Sequence, residues 1–432
     1  MRAIASMFVV TLAFLQSQAP ATPPAAPVDD PIKTIAGRLD LEKYKATIKG
    51  LTQFGDRRQG TARNRAALDW IEAQLKSYGC TNTERITYTY TQRAPGQRGR
   101  GAAGANGATG ANGATGANGA TGANGAPAAQ APARGNADPG AGQGGSRIRG
   151  IRRRTGVNSD PTLQPDAKLR ELDSEQTPDG PGERQDVFCT KVGTTHPEEM
   201  YIVGGHMDGI GWGEAANDDG SGTALVMELA RVFSAPDVQT ERSIRFALWN
   251  NEETGTEGAG AYVAQRQALQ GKENPAGSGK FPEPKWLGMI QHDMMMFDHG
   301  MPLADGTLPK EQRPEADVNI EFANTSKFAA EAQALAWALQ AANEKYATDY
   351  PAAVGPHMTN TDSRQFQDVV PAVSLRENER GSQIGAGWDP QWHQPTDLYV
   401  TYSDKDFRLG LNAAQTTLGA VAQLTGAKLV VR

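Results

Sequence analysis

Met200-Tyr201-Ile202-Val203-Gly204-Gly205-His206-Met207-Asp208 runs from apolar to polar, and Asn217-Asp218-Asp219-Gly220-Ser221-Gly222 follows. After it, residues 225–233 carry apolar side chains at helical spacing. A short apolar run, a polar loop and a helix in that order read as a buried strand feeding a crossover helix. The same grammar recurs. Apolar runs at 244–249, 286–290 and 369–375 suit further buried strands, and 328–339 and 411–424 show helical periodicity. Strands alternating with helices predict an α/β fold with a mostly parallel central sheet and helices on both faces. Upstream, Leu68, Ile71, Leu75 and Tyr78 extend a helical pattern across 39–78, Gly79 stops it, and 86–90 alternates like a strand.

Around this core the chain is heterogeneous. Arg2 precedes a mostly apolar stretch, 3–15, too short to span a bilayer, and both Ser17-Gln18-Ala19 and Ala19-Pro20-Ala21 fit a small-x-small cleavage site. Residues 1–21 therefore read as a signal peptide and 22–38 as a Pro/Ala-rich leader, predicting an exported protein, periplasmic or extracellular, with no stable membrane insertion. From Gly101 to Gly125 a glycine recurs at every third position, nearly without proline, and arginines crowd both flanks. That spacing is collagen-like, but stable triple helices need far more proline. Residues 93–183 read as a low-complexity, disordered Gly-rich insertion, the alternative being a trimerising or polyanion-binding arm. The folded domain expected around it comprises 39–92 and 184–432. Cys80 and Cys189 do not by their spacing establish a bridge, and two half-buried small residues are the expectation. A net charge of -6 argues against nucleic acid as a partner.

The chemistry-bearing residues sit just past the predicted strand ends: His206 and Asp208; Asp218 and Asp219; Glu252 and Glu253 of Asn250-Asn251-Glu252-Glu253-Thr254-Gly255; Asp293 of Gln291-His292-Asp293; and, further on, Trp392-His393-Gln394-Pro395-Thr396-Asp397. Ligands bind at this edge of open α/β sheets, so residues distant in sequence can converge there. Two imidazoles with several carboxylates form a nitrogen/oxygen ligand set suited to zinc. Two such ions roughly 3.5–4 Å apart can share a carboxylate and activate water. A further carboxylate must then move the proton, and adjacent Glu252 and Glu253 can divide base from ligand.

In this order, Gly-Gly-His-x-Asp, Asn-Asp-Asp-Gly-Ser-Gly, Asn-Glu-Glu-x-Gly, His-Asp-Met and His-x-Pro-x-Asp resemble the co-catalytic di-zinc aminopeptidases. These are metallopeptidases related to glutamate carboxypeptidase and glutaminyl cyclase. The resemblance implies a zinc exopeptidase (phosphorylase/hydrolase-like) fold, two zinc ions per chain and a peptide substrate. It implies that His206 and Asp293 bind one ion, Glu253 and His393 the other, and Asp218 bridges them, with Asp219 the second choice. Asp208 would orient His206, and Glu252 would be the general base. Trp392 stands where secreted relatives often have a tyrosine that helps hold the oxyanion.

Other residues invite plainer readings. His292 should point away from the site along its strand, His196 should lie in an exposed hairpin loop, and His299 and His357 carry no assigned role. Met294, Met295, Met296 and Phe297 could line an apolar pocket or belong to the core. Arg364 and Arg376 could recognise a substrate carboxylate or form ion pairs. An aminopeptidase is the leading expectation. A carboxypeptidase, a glutaminyl cyclase and a non-catalytic binding protein with a collagen-like arm are the alternatives.

Overall fold

The first three of the four apolar runs become strands at the centre of a sheet in the computed structural model. It describes residues 30–80, 82–91, 157–176, 181–300, 303, 305, 307–311, 313, 316–356, 361–377 and 389–430. The proposed signal peptide, the Gly triplets and His357 lie outside the described residues.

Three helices open the described chain: α1 (Pro31–Ala36), α2 (Leu41–Thr52) and α3 (Ala62–Ser77). Next come β1 (Thr83–Tyr90), α4 (Ala167–Leu172), β2 (Gly182–Lys191) and β3 (His196–His206). The middle holds α5 (Gly220–Phe233), β4 (Val238–Gln239), β5 (Arg242–Trp249), α6 (Glu257–Arg266), β6 (Lys285–His292) and β7 (Val318–Phe322). The rest is α7 (Ala329–Tyr346), β8 (Ala352–Gly355), α8 (Ser363–Phe366), β9 (Ala372–Arg376), α9 (Asp404–Leu424) and β10 (Lys428–Leu429).

Eight strands form one sheet in the order β1-β2-β5-β3-β6-β9-β7-β8. Its centre, β5-β3-β6-β9, is parallel throughout, while β1, β2 and β7 run antiparallel to their inner neighbours. Alternation sorts side chains to two cores. Ile244, Phe246 and Leu248 face one packed mainly by α2, α3, α5, α7 and α9, whereas Ala247 and Trp249 face another covered by α6 and α8. Among the described residues, no helix is long and apolar enough to cross a membrane.

Three details differ from the sequence reading. The single helical pattern over 39–78 is two helices, because Gly55, Arg57 and Gly60 all adopt positive φ between them. The fourth apolar run begins its strand only at Ala372: the Val369 and Val370 amides close the turn after α8 onto the Phe366 carbonyl. His196 lies at the start of β3, half-exposed, with its ring beside Glu198.

Part of the segment assigned to the insertion is well structured. Asp173 pairs with Arg63 and accepts the Asp56 amide, so α4 is fastened to the turn between α2 and α3. Tyr90 pairs with Gly182 at the open end of the β1–β2 hairpin, and this end extends past the C-terminal edge of β5.

Cys80 and Cys189 are joined by a disulfide, with Cα atoms 6.0 Å apart, contrary to the expectation of two separate small residues. Antiparallel pairing sets Thr83 opposite Cys189 and so brings the thiols together. No spacing rule could reveal that, since 109 residues separate them. Closing so long a loop restricts the unfolded chain, and exchanging both cysteines for serine should cost about 3–5 kcal/mol. Guanidinium midpoints with and without reductant measure it. Equal midpoints would show that the bridge contributes nothing.

Candidate metal centre

His206 is the last residue of β3, and the two glycines before it answer to crowding. A Cβ at Gly204 would come within 2.4 Å of Trp249 Nε1, and one at Gly205 within 2.9 Å of the Gly222 backbone. Without side chains there, β3 slides between Trp249 and the first turn of α5. Asp219 is the N-cap of that helix, accepting hydrogen bonds from Gly222 N, His206 N and Met294 N at 2.8, 3.0 and 3.2 Å. Those bonds occupy Asp219 and tie three loops together.

Asp218 is thereby turned the other way. Its Oδ1 lies 3.3 Å from His206 Nε2 and its Oδ2 2.9 Å from His393 Nε2. Asp293, one residue beyond β6, brings Oδ1 to 3.8 Å from His206 Nε2, and Glu253 brings Oε2 to 2.9 Å from His393 Nε2. Two ligand groups result, His206–Asp218–Asp293 and Asp218–Glu253–His393, with Asp218 common to both. All five residues singled out from the sequence converge.

The donor spacing is compatible with bound cations. Around a tetrahedral zinc with bonds near 2.1 Å, neighbouring donors lie about 3.4 Å apart. The four separations here, 2.9 to 3.8 Å, straddle that value. Each Nε2 faces two carboxylates, yet a single ring N–H aims at one acceptor. Glu253 Oε1 is buried with no hydrogen-bond partner among the described residues.

Proton affinities point the same way. Burial opposes protonation of His206, but Asp219, Asp208, Asp218 and Asp293 outweigh it and hold the ring well above its ordinary value. His393 is likewise raised to about 10, burial being overcome by Glu253 and Asp218. Glu253 is pushed up to about 7, first by burial and then by Asp218, with His393 opposing. Asp218, despite burial, is held below the carboxylate range by the two imidazoles. This pocket gathers protons wherever a divalent cation would displace them.

The supporting residues are less obvious from sequence. His206 Nδ1 bonds the Asp208 carbonyl oxygen at 3.0 Å, whereas the Asp208 carboxylate stands 3.7 Å away. That carboxylate instead accepts the Glu252 amide at 3.1 Å. Asp208 thus orients His206 through its backbone, not through the side chain expected to do so. Glu252 itself is half-buried, and its carboxyl is raised well above the ordinary value by burial, with Asp293 and Glu253 adding to it against His206. Asp397 accepts the amides of Asn217 and Asp218 at 2.8 and 3.1 Å. Its place in His-x-Pro-x-Asp was the available signal.

The sequence leaves Arg376 open between a substrate contact and an ion pair, and its surroundings decide between them. It is buried at the end of β9, with Nη2 2.7 Å from Asp293 Oδ2 and Nε 3.7 Å from Glu321. Arg364 is exposed on α8. Trp392 stacks on the His393 ring with centroids 4.2 Å apart. His292 points away, bonding the Gly204 carbonyl and Thr417, and His299 bonds Asp406. Met294, Met295, Met296 and Phe297 are fully buried core.

The chain is similar to known proteins. Over 71 residues the chain is 37% identical to carboxypeptidase Q of Xenopus laevis, covering 16% of this chain and 15% of that protein. Over 68 residues it is 38% identical to aminopeptidase YwaD of Bacillus subtilis, covering 16% and 14%. The aligned stretches therefore span only a small part of the curated relatives' length. Among solved structures, a zinc aminopeptidase from Bacillus subtilis superposes with a TM-score of 0.56 at 14% identity, over 89% of this chain and 95% of that one, a likeness of fold. The sequence profile of Peptidase family M28 matches residues 186–414, the stretch that carries all five converging side chains and more than half of the whole, and the chain belongs to that family.

Proposed function

We propose that the protein is a zinc-dependent exopeptidase, acting as an aminopeptidase on peptides with free N-termini. The observation that carries this reading is the pair of ligand groups sharing Asp218, with Glu252 beside Glu253 but outside both groups. In this reading His206 and Asp293 hold one zinc, Glu253 and His393 the second, and Asp218 both. Bound zinc supplies Lewis acidity and lowers the pKa of water toward neutrality. Glu252 takes a proton from the attacking water and returns it to the departing amine, and its raised proton affinity suits both tasks. Asp208 steadies that base by holding its backbone amide while its carbonyl fixes the His206 ring. The stacked indole of Trp392 keeps the His393 ring in plane.

The amino rather than carboxy preference draws on charge. Carboxylates crowd the centre and attract a substrate ammonium, while Arg376, the residue a carboxypeptidase reading would need, is engaged by Asp293. A panel of aminoacyl chromogenic substrates, with C-terminally exposed peptides alongside, tests the reading. Cleavage of the former should vanish with a chelator and return with zinc. Cleavage of only the latter would transfer the assignment to a carboxypeptidase, and turnover of neither by zinc-loaded protein would remove both.

We also read the chain as exported. The Arg2-led apolar stretch and the Cys80–Cys189 bond, of a kind that persists in oxidising compartments, support this. Full-length protein confined to the cytosolic fraction would end that reading.

A further inference from the structure

Residues 158–164 lie outside the stretch matched by the family profile, yet they touch the loop that carries His393. The Asn158 amide donates to the His393 carbonyl oxygen at 3.0 Å, and Asn158 Nδ2 donates to the Gly211 carbonyl at 3.3 Å. Gln164 is fully buried, and its single Nε2 donates to two carbonyls, Trp212 and Pro395, at 2.8 Å each. One side-chain amide thus joins the loop after His206 to the loop containing His393. Behind it the segment is itself fastened: Asp166 N donates to Gln164 Oε1, and past α4 Asp173 meets Arg63 and the Asp56 amide.

His393 needs such a hold for two reasons. Its φ is 56°, in the left-handed region that residues with side chains rarely adopt unless their surroundings fix them. Its Nδ1 also has no hydrogen-bond partner among the described residues, whereas His206 Nδ1 is fixed by the Asp208 carbonyl. Metal-binding imidazoles normally take their orientation from that second nitrogen. Among the described residues, its backbone contacts and the Trp392 stack are what hold the ring. The two imidazoles are therefore anchored in different ways.

We infer that residues 158–164 form a positioning strap, with Asn158 and Gln164 as positioning residues that hold His393 ready to bind its metal ion. The inference rests on the metal-centre reading above. It assigns to a segment outside the family-matched stretch a task that metal-binding imidazoles normally give to their own second nitrogen.

Zinc content of the full chain, by elemental analysis and by competition with a chromogenic chelator, tests it in Gln164→Met, close in volume but lacking the amide. The parent should retain two zinc ions. The variant should keep one at parental affinity and bind the other about 10–100-fold more weakly, and cobalt substitution should show one altered and one unaltered spectrum. Should Gln164→Met fail to fold, Asn158→Ala decides, with a smaller selective loss expected. Two ions at parental affinity, or equal weakening of both, would overturn the strap. A parent that binds no zinc would instead overturn the metal-centre reading.

Discussion

Glu252→Gln should lower kcat by about 10²–10⁴-fold, the usual range for a general acid–base group, while zinc content stays at the parental level. The amide is nearly isosteric, and the residue's backbone stays anchored because the Asp208 carboxylate holds the Glu252 N–H rather than its side chain. Adjacent Glu253 is not expected to substitute, since in this reading it belongs to the Asp218–Glu253–His393 ligand group. Steady-state kinetics on an aminoacyl substrate, with zinc measured on the same preparation, read the two effects separately. Parental kcat in a zinc-replete variant would remove Glu252 from the chemistry.

Removing the metal should cost turnover as well. Lewis-acid stabilisation is worth several kcal/mol, so stripping with a chelator should reduce turnover by about 10³-fold or more, with recovery on adding zinc. Stability should fall as well. A ligand that binds only the folded state at about 1,000 times its dissociation constant contributes about 4 kcal/mol. Its loss would also leave Asp218, Asp293 and Glu253 facing one another across two imidazoles. Asp218→Ala should reproduce both effects in one substitution, because that carboxylate belongs to both ligand groups. Thermal melting of stripped, reloaded and Asp218→Ala protein checks the pair. Equal melting points for stripped and reloaded protein would mean the cluster is a hydrogen-bonded ion-pair network.

The sheet was legible from local pattern, and the five converging side chains from that pattern together with the family resemblance. An apolar run that ends in a polar turn marks a strand's C-terminal edge, and the site assembles at that edge. What stayed hidden depends on pairing between distant segments. Cys80 meets Cys189 only through the β1–β2 register. Arg376 meets Asp293 only because β9 lies beside β6. The backbone role of Asp208 was invisible for another reason: a sequence names side chains, and here a carbonyl does the orienting. The choice of Asp218 over Asp219 rested on resemblance, and its physical basis is that Asp219 is consumed in capping α5.

The pairing of Tyr90 with Gly182 has a consequence for how this protein can vary. The sheet clamps Tyr90 and Gly182 side by side, and Asn158, Gln164 and Asp173 fasten the chain again further on, so neither set of contacts fixes how many residues lie between Thr91 and Val157. Doubling such a loop adds only about 0.6 kcal/mol of closure entropy. That segment can therefore change in length and composition, as repeat slippage in Gly-Ala-Asn and Gly-Ala-Thr triplets would produce, without disturbing the strand pairing. Related chains should differ most in the length of that segment.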